Sequence, residues 1–307
     1  MTFSHFLRIV EIRTKIVSVS SLLIGTAFVF YSRIPFDPTA FVLLMISVLA
    51  IDMGTTAFNT FFDYLSGVDH LALNRERDKV LVHAGVAPGV ALVVSIILYG
   101  VGGVVGLFLA ARVGWFLVPV GMASMAVGFF YNAGPLPISR TPFGELFAGG
   151  FLGWVLVELS IYIHTPAMSG FLWWAGVPSA LMVASILTVN NTCDMEGDRK
   201  SGRRTLSIVI GRTAGELLVY AEGIGSIIVL AALFAPRFSG AGGVDFRVVI
   251  PVLVAGAVPA GLEYRRMHRR GYSHATKGPS MGSISRVFTA FTGAVLVLLA
   301  AGFVQNA

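Results

Sequence analysis

The chain has 307 residues, of which 55% are hydrophobic and 12% charged, where a soluble domain carries about 25% charged residues. Together with a mean hydropathy of +0.80, this excludes a soluble globular protein and implies an all-α polytopic membrane protein. The net charge of +6 would suit a nucleic-acid partner, but the placement of the basic residues assigns it to membrane orientation instead.

In chain order, Met1 to Lys15 mixes His5, Arg8, Glu11 and Arg13 with apolar residues and lacks a signal-peptide cleavage pattern. It reads as a short amphipathic helix lying at the membrane interface. Apolar runs long enough to span follow at 16–32, 38–62, 88–111, 114–131, 143–163, 168–192, 213–235, 247–264 and 284–304, which predicts nine transmembrane helices in a bundle. The third and fourth are separated only by Ala111-Arg112-Val113-Gly114, so a tight helical hairpin is expected there. Gly102 and Gly106, four apart, suit close helix packing. The connection from Tyr131 to Pro142 is rich in Pro and Gly and should be a rigid crossover. Glu145 opens the next helix, where a carboxylate suits the positive N-terminal dipole, and a capping role accounts for it as well as a role in a site does. The single cysteine, Cys193, excludes an intramolecular disulfide framework and reads as a small packing residue. The chain reads as one domain, 1–307, of two pseudo-repeated halves, roughly 1–142 and 143–264, with a last helix appended.

With the amino end in the cytoplasm, eighteen Lys and Arg residues fall inside (Arg8, Arg13, Lys15, Arg75, Arg77, Lys79, Arg140, Arg199, Lys200, Arg203, Arg204, Arg212, Arg265, Arg266, Arg269, Arg270, Lys277 and Arg286). Only Arg33, Arg112, Arg237 and Arg247 fall outside. That asymmetry is the positive-inside pattern. It predicts an integral protein of a bacterial or archaeal cytoplasmic membrane and accounts for the basic charge with no nucleic-acid partner. The segment from Arg265 to Arg286 is the densest in Arg and His and reads as a solvated stretch beside anionic lipid headgroups.

Two acid–amide clusters stand out at predicted cytoplasmic ends. Asn190, Asp194 and Asp198 are spaced four and four, so on a helix they share one face. Earlier, Asn59 and Asp63 repeat the spacing, and Asp69 follows. A carboxylate within the apolar region costs about 2.5–3.5 kcal/mol; incurring that cost at two places argues for function. Hard oxygen donors with neither paired His nor clustered Cys select Mg²⁺, which prefers one or two carboxylates with substrate phosphates and water. Asn59, Asp63, Asp69, Asn190, Asp194 and Asp198 are therefore the candidate metal ligands, and the four aspartates the candidate catalytic set. A diphosphate at the mouth of an apolar bundle implies a lipid-tailed diphosphate. Lys79, Arg140, Arg199, Lys200, Arg203 and Arg204 are placed to neutralise its oxygens. Phe58, Phe61, Phe62, Tyr64, Phe129, Phe130 and Tyr131 could face an allylic cation, although membrane packing explains any one of them.

On these residues the chain resembles, over nearly its whole length, the UbiA family of intramembrane aromatic prenyltransferases. The paired motifs are Asn59/Asp63/Asp69 and Asn190/Asp194/Asp198. Tyr131, Gly134-Pro135 and Arg140-Thr141-Pro142-Phe143-Gly144-Glu145 resemble the branch that includes 1,4-dihydroxy-2-naphthoate prenyltransferases. So do Gly202-Arg203-Arg204-Thr205-Leu206 and Glu11-Ile12-Arg13-Thr14-Lys15. Gly67 stands where much of the family has its second aspartate, and the acid comes at Asp69 instead. The resemblance implies a helical bundle around a central cavity, Mg²⁺ dependence, and transfer of a polyprenyl chain from its diphosphate to an aromatic acceptor. It adds Arg13 and Tyr131 to Asn59, Asn190, Lys79, Arg140 and Arg203 as candidate substrate-binding residues. Other acceptors (4-hydroxybenzoate, homogentisate, haem or a glycerophosphate lipid) stay open, and so does a secondary transporter.

Overall fold

The computed structural model describes residues 2–67, 80–166, 168, 170–234 and 244–305. Among them every regular element is helical. A short α1 (Phe3–Ile9) precedes nine apolar helices that fall where the hydropathy pattern places them. These are α2 (Ile16–Tyr31), α3 (Pro38–Leu65), α4 (Pro88–Val113), α5 (Leu117–Phe130), α6 (Gly144–Tyr162), α7 (Val177–Lys200), α8 (Arg212–Leu233), α9 (Phe246–Arg270) and α10 (Lys277–Gln305). Eight segments among the described residues are long and apolar enough to cross a membrane, and α5, with 14 residues, is not one of them. At 1.5 Å per residue it covers about 21 Å of a core ~30 Å thick. Gly114, in an extended conformation, follows α4, and α5 begins at Leu117.

Two compact units divide the chain: residues 1–19 with 38–141, and residues 20–37 with 142–307. In the first unit, Gly102 lets α4 approach α3 closely. A Cβ there would meet Ile51 Cγ1 at 2.6 Å and the Ser47 carbonyl at 3.0 Å, and the Ser47 hydroxyl donates to the Gly102 carbonyl at 2.7 Å. The amino-terminal segment packs within the first unit by its carboxyl end. Phe3 is exposed, but Ile9 and Val10 are fully buried with Ala57, Val80, Leu81, Ala91 and Val94. Glu11, at φ 46°, ends α1, and the Thr56 hydroxyl donates to the Val10 carbonyl at 2.8 Å. The segment is thereby laid along the second half of α3. Polar side chains on α3 (Thr56, Thr60) reach its backbone, which explains why it enters the core.

The second unit contains a π-helical stretch, Gly149–Val155, within α6. Gly149 and Gly153 sit there against α7, where a Cβ on either would meet Ala180 within 2.6 Å. Apolar contact alone does not select such an approach in lipid; small residues permit it. The Arg33 guanidinium lies over the Phe303 ring, 3.9 Å from its centre. The ends of α2 and α10, both predicted outside, thus lie together. The ends that carry predicted cytoplasmic charge also meet, since Arg212 at the start of α8 donates to the Tyr272 carbonyl at 2.8 Å. The segment from Arg265 to Arg286 is mostly helix: α9 runs on to Arg270 and α10 begins at Lys277.

Candidate active site

The second cluster is built on the last three turns of α7. Asn190, Asp194 and Asp198 stack along one face, as their spacing requires. Gly202, at φ 76°, takes a left-handed conformation that few other residues adopt without cost. It reverses the chain so that the Arg203 N–H donates to the Asp198 carbonyl at 2.9 Å. The same reversal returns the Arg203 guanidinium to the Asp198 carboxylate, 3.4 Å away and with both side chains largely buried. Of the predicted basic partners, Arg203 therefore meets its acid, while Arg199, Lys200 and Arg204 are exposed. Glu196 faces outward and pairs with Arg212 at 2.9 Å. Cys193, next to Asp194 on the same helix, is buried.

Asp194 is held by residues the sequence reading placed in a solvated stretch. Lys277 Nζ lies 2.7 Å from one of its oxygens, and His274 Nδ1 lies 3.0 Å from the other. Both come from the turn between α9 and α10. Gly271, at φ 70°, starts that turn, and the Thr276 hydroxyl accepts from the Ser273 N–H at 2.9 Å. The turn is further pinned by Arg212 on the Tyr272 carbonyl. Tyr272 is almost fully buried, and its phenol is pushed above the usual range by that burial.

Glu145 lies in the first turn of α6 and also reaches α7. Its carboxylate is 3% exposed and accepts from the Asn191 amide at 2.8 Å. The Asn190 amide in turn donates weakly to Asn191 Oδ1, at 3.4 Å. The chain Glu145–Asn191–Asn190 uses the Asn190 NH₂ group as a donor, on a residue that shares a helix face with Asp194. The reach from α6 to α7 follows from the close packing at Gly149 and Gly153.

The first cluster lies at the end of α3. Asn59 and Asp63 are half-buried one turn apart. Gly67, at φ 72°, ends the helix. Asp69 and Lys79 lie outside the described residues. The aromatic residues singled out around this cluster do assemble. Phe58 packs edge-on against Tyr99 and Phe129, at 5.1 and 5.2 Å between ring centres. Phe62 meets Phe129 at 5.9 Å and Phe61 at 5.1 Å. Phe58 is 6% exposed and is a packing residue, whereas Tyr64 and Phe130 are exposed. In the same unit the Ser139 N–H donates to the Tyr131 carbonyl at 3.0 Å. This closes the Pro-rich crossover on itself and brings Tyr131 and Arg140, both half-buried, to its two ends. Arg13 is exposed in a 3₁₀ turn, Ile12–Lys15.

Among the described residues no three His, Cys, Asp or Glu side chains converge as a metal cage. The donors on the α7 face are an amide oxygen and two carboxylates in a row, a set that suits Mg²⁺ completed by phosphate and water and does not suit zinc.

Eight helices long and apolar enough to cross a membrane, among the described residues, define an integral membrane protein. The chain belongs to the UbiA prenyltransferase family, whose model matches residues 18–291, and it is a prenyltransferase by that membership. It is 34% identical over 226 residues to the 1,4-dihydroxy-2-naphthoate octaprenyltransferase of Bacillus subtilis (strain 168), an alignment that covers 73% of this chain and 68% of that protein. The human UbiA prenyltransferase domain-containing protein 1 is 28% identical over 208 residues, covering 66% of this chain and 59% of the relative. Among solved structures, a UbiA homolog from Aeropyrum pernix K1 aligns over 94% of this chain and 97% of its own, with a TM-score of 0.63 at 16% identity. A UbiA homolog from Archaeoglobus fulgidus bound to DMAPP and Mg²⁺ aligns over 95% and 98%, with a TM-score of 0.61 at 16% identity. These two likenesses establish the fold.

Proposed function

We propose that the protein transfers a polyprenyl chain from an allylic polyprenyl diphosphate to 1,4-dihydroxy-2-naphthoate, in a Mg²⁺-dependent reaction of menaquinone biosynthesis. The observation that carries this reading is the α7 face, where Asn190, Asp194 and Asp198 line up at a helix end and each acid is met by a cationic side chain. The 34% identity to a naphthoate octaprenyltransferase supports the acceptor. The split of eighteen to four in Lys and Arg supports a site that opens to the cytoplasm of a bacterial or archaeal membrane.

In this reading Asn59, Asp63 and Asp69 hold one Mg²⁺, and Asn190, Asp194 and Asp198 the other. Bound there, Mg²⁺ would neutralise the charge that grows on the departing diphosphate as the allylic C–O bond breaks. Arg203 stays against Asp198 and orients it. Arg140 binds a phosphate through its planar fork. The apolar and aromatic side chains near α3 keep water from the carbocation until the ring carbon attacks. The ring carbon then loses a proton, or its carboxylate as CO₂, and the electron pair left behind restores aromaticity. Lys79, Arg13 and Tyr131 complete the substrate-binding set.

Purified enzyme supplied with a radiolabelled polyprenyl diphosphate and a panel of acceptors tests this directly. Product from the naphthoate is expected. Product from 4-hydroxybenzoate with none from the naphthoate would move the protein to another branch.

A further inference from the structure

We propose that Lys277 is a placeholder cation that exchanges between Asp194 and the substrate diphosphate, an inference that rests on the metal–diphosphate reading of the α7 face. Lys277 Nζ is 2.7 Å from Asp194 Oδ2, and His274 Nδ1 is 3.0 Å from Oδ1. Each oxygen a metal ion would take therefore already accepts from a cationic or hydrogen-bonding group, so metal binding at Oδ2 must displace the ammonium. The side chain has somewhere to go. Lysine is a compact point charge on a flexible four-carbon stem, and the Asp194–Lys277 pair is partly open, with side chains 17% and 20% exposed. The backbone below it does not move with it. The turn is fixed by the Ser273–Thr276 capping box, by the Thr276 hydroxyl on the Gly271 carbonyl at 2.8 Å and by Arg212 on the Tyr272 carbonyl.

Lys277 is also the first residue of α10, a helix of 29 residues. Its positive end thus lies beside the acidic face, a position that favours an incoming anion. A displaced ammonium at a helix start, next to a metal-bound carboxylate, is a diphosphate ligand. The exchange keeps the local charge near balance in both states: Lys277 offsets Asp194 before the metal arrives and offsets the diphosphate after it. A residue that only stabilised the fold would have no such second partner.

The consequence is a pair of opposite effects. Replacing Lys277 by Met removes the competitor for Asp194, so a divalent ion alone should bind about tenfold tighter. It also removes a phosphate ligand, so inorganic diphosphate with the metal should bind about tenfold weaker; each factor corresponds to about 1.4 kcal/mol. Lys277→Arg, which keeps the charge on a long side chain, should resemble the parent in metal binding.

The test uses full-length protein in detergent. Free Mn²⁺, in place of Mg²⁺, is titrated by electron paramagnetic resonance, and inorganic diphosphate is titrated by calorimetry in saturating Mg²⁺. Parent, Lys277→Met, Lys277→Gln and Asp194→Asn are compared, with a melting curve for each. Opposite shifts in the Met or Gln variant support the exchange. Metal affinity that stays the same or falls in a folded variant overturns it, and so does unchanged diphosphate affinity. Asp194→Asn separates the two levels of argument. If it loses Mn²⁺ binding while Lys277→Met changes nothing, the metal reading stands and the exchange fails. If it binds Mn²⁺ like the parent, the metal reading itself fails.

Discussion

Two lysine–aspartate pairs of nearly equal length serve opposite ends. Lys15 and Asp52 meet at 2.6 Å with side chains 5% and 11% exposed, and Lys277 and Asp194 meet at 2.7 Å with 20% and 17%. The first pair is saturated. The Lys15 ammonium, with three donors to spend, reaches Asp52 Oδ1, the Asp52 carbonyl at 3.3 Å and the Thr56 hydroxyl at 3.2 Å. The second Asp52 oxygen accepts from Ser18 at 2.6 Å. Both Asp52 oxygens are engaged within the protein and little exposed, and the amino-terminal segment is fastened to α3. The second pair is half open and sits at a helix end beside other oxygen donors. Distance alone does not separate a structural ion pair from a site; access does.

The largest stability effect should fall on the closed pair. Lys15→Met leaves Asp52 buried and uncompensated, which should cost about 3–5 kcal/mol and appear as a lower melting temperature in detergent. Changing both partners to well-packed apolar residues should recover most of that loss, because the desolvation cost disappears with the charges. A double variant as unstable as Lys15→Met would show that the pair does more than fasten the segment.

Glu145 comes next. Glu145→Ala removes the acceptor of the buried Asn191 amide and should cost about 1–3 kcal/mol. Glu145→Gln keeps the shape and should cost less, but it loosens the amide chain that presents Asn190. That variant is therefore expected to need more Mg²⁺ for half-maximal turnover while melting close to the parent. A purely structural Glu145 would leave the Mg²⁺ requirement unmoved.

The smallest effect is expected at Arg140. Arg140→Lys keeps the charge and loses the planar fork, so apparent affinity for the prenyl diphosphate should fall about tenfold, or ~1.4 kcal/mol, with stability unchanged. Full activity and affinity in this variant would make Arg140 a topological marker only.

The same contrast shows what the sequence makes legible. Eight apolar spans among the described residues and the α7 face follow from hydropathy and a spacing of four, both of which are local. The Arg203–Asp198 contact is nearly so, since one glycine turn connects them. The contacts of Lys15, Glu145 and Lys277 are not legible in the sequence because their partners lie 37, 46 and 83 positions away (52 − 15, 191 − 145, 277 − 194). No periodicity reports a contact at that range. Yet a signal existed for two of them. Asp52 lies inside a predicted span, and Glu145 near the start of one, so the insertion cost that drew attention to Asp63 and Asp194 applies to them as well. Lys277 had no such mark, being one cation among many in a basic stretch.

The central claim is that the acids of the two clusters hold metal and diphosphate, whereas Asp52 holds only the fold. Turnover at saturating Mg²⁺ and melting temperature, measured together for Asp63→Asn, Asp194→Asn and Asp52→Asn, test it most directly. Asp63→Asn and Asp194→Asn should melt near the parent and lose about 10²–10³-fold in turnover, the scale seen when one stabiliser of transition-state charge is removed. Asp52→Asn should melt lower and keep its turnover per folded molecule. Near-normal turnover in well-folded Asp63→Asn and Asp194→Asn would contradict the account.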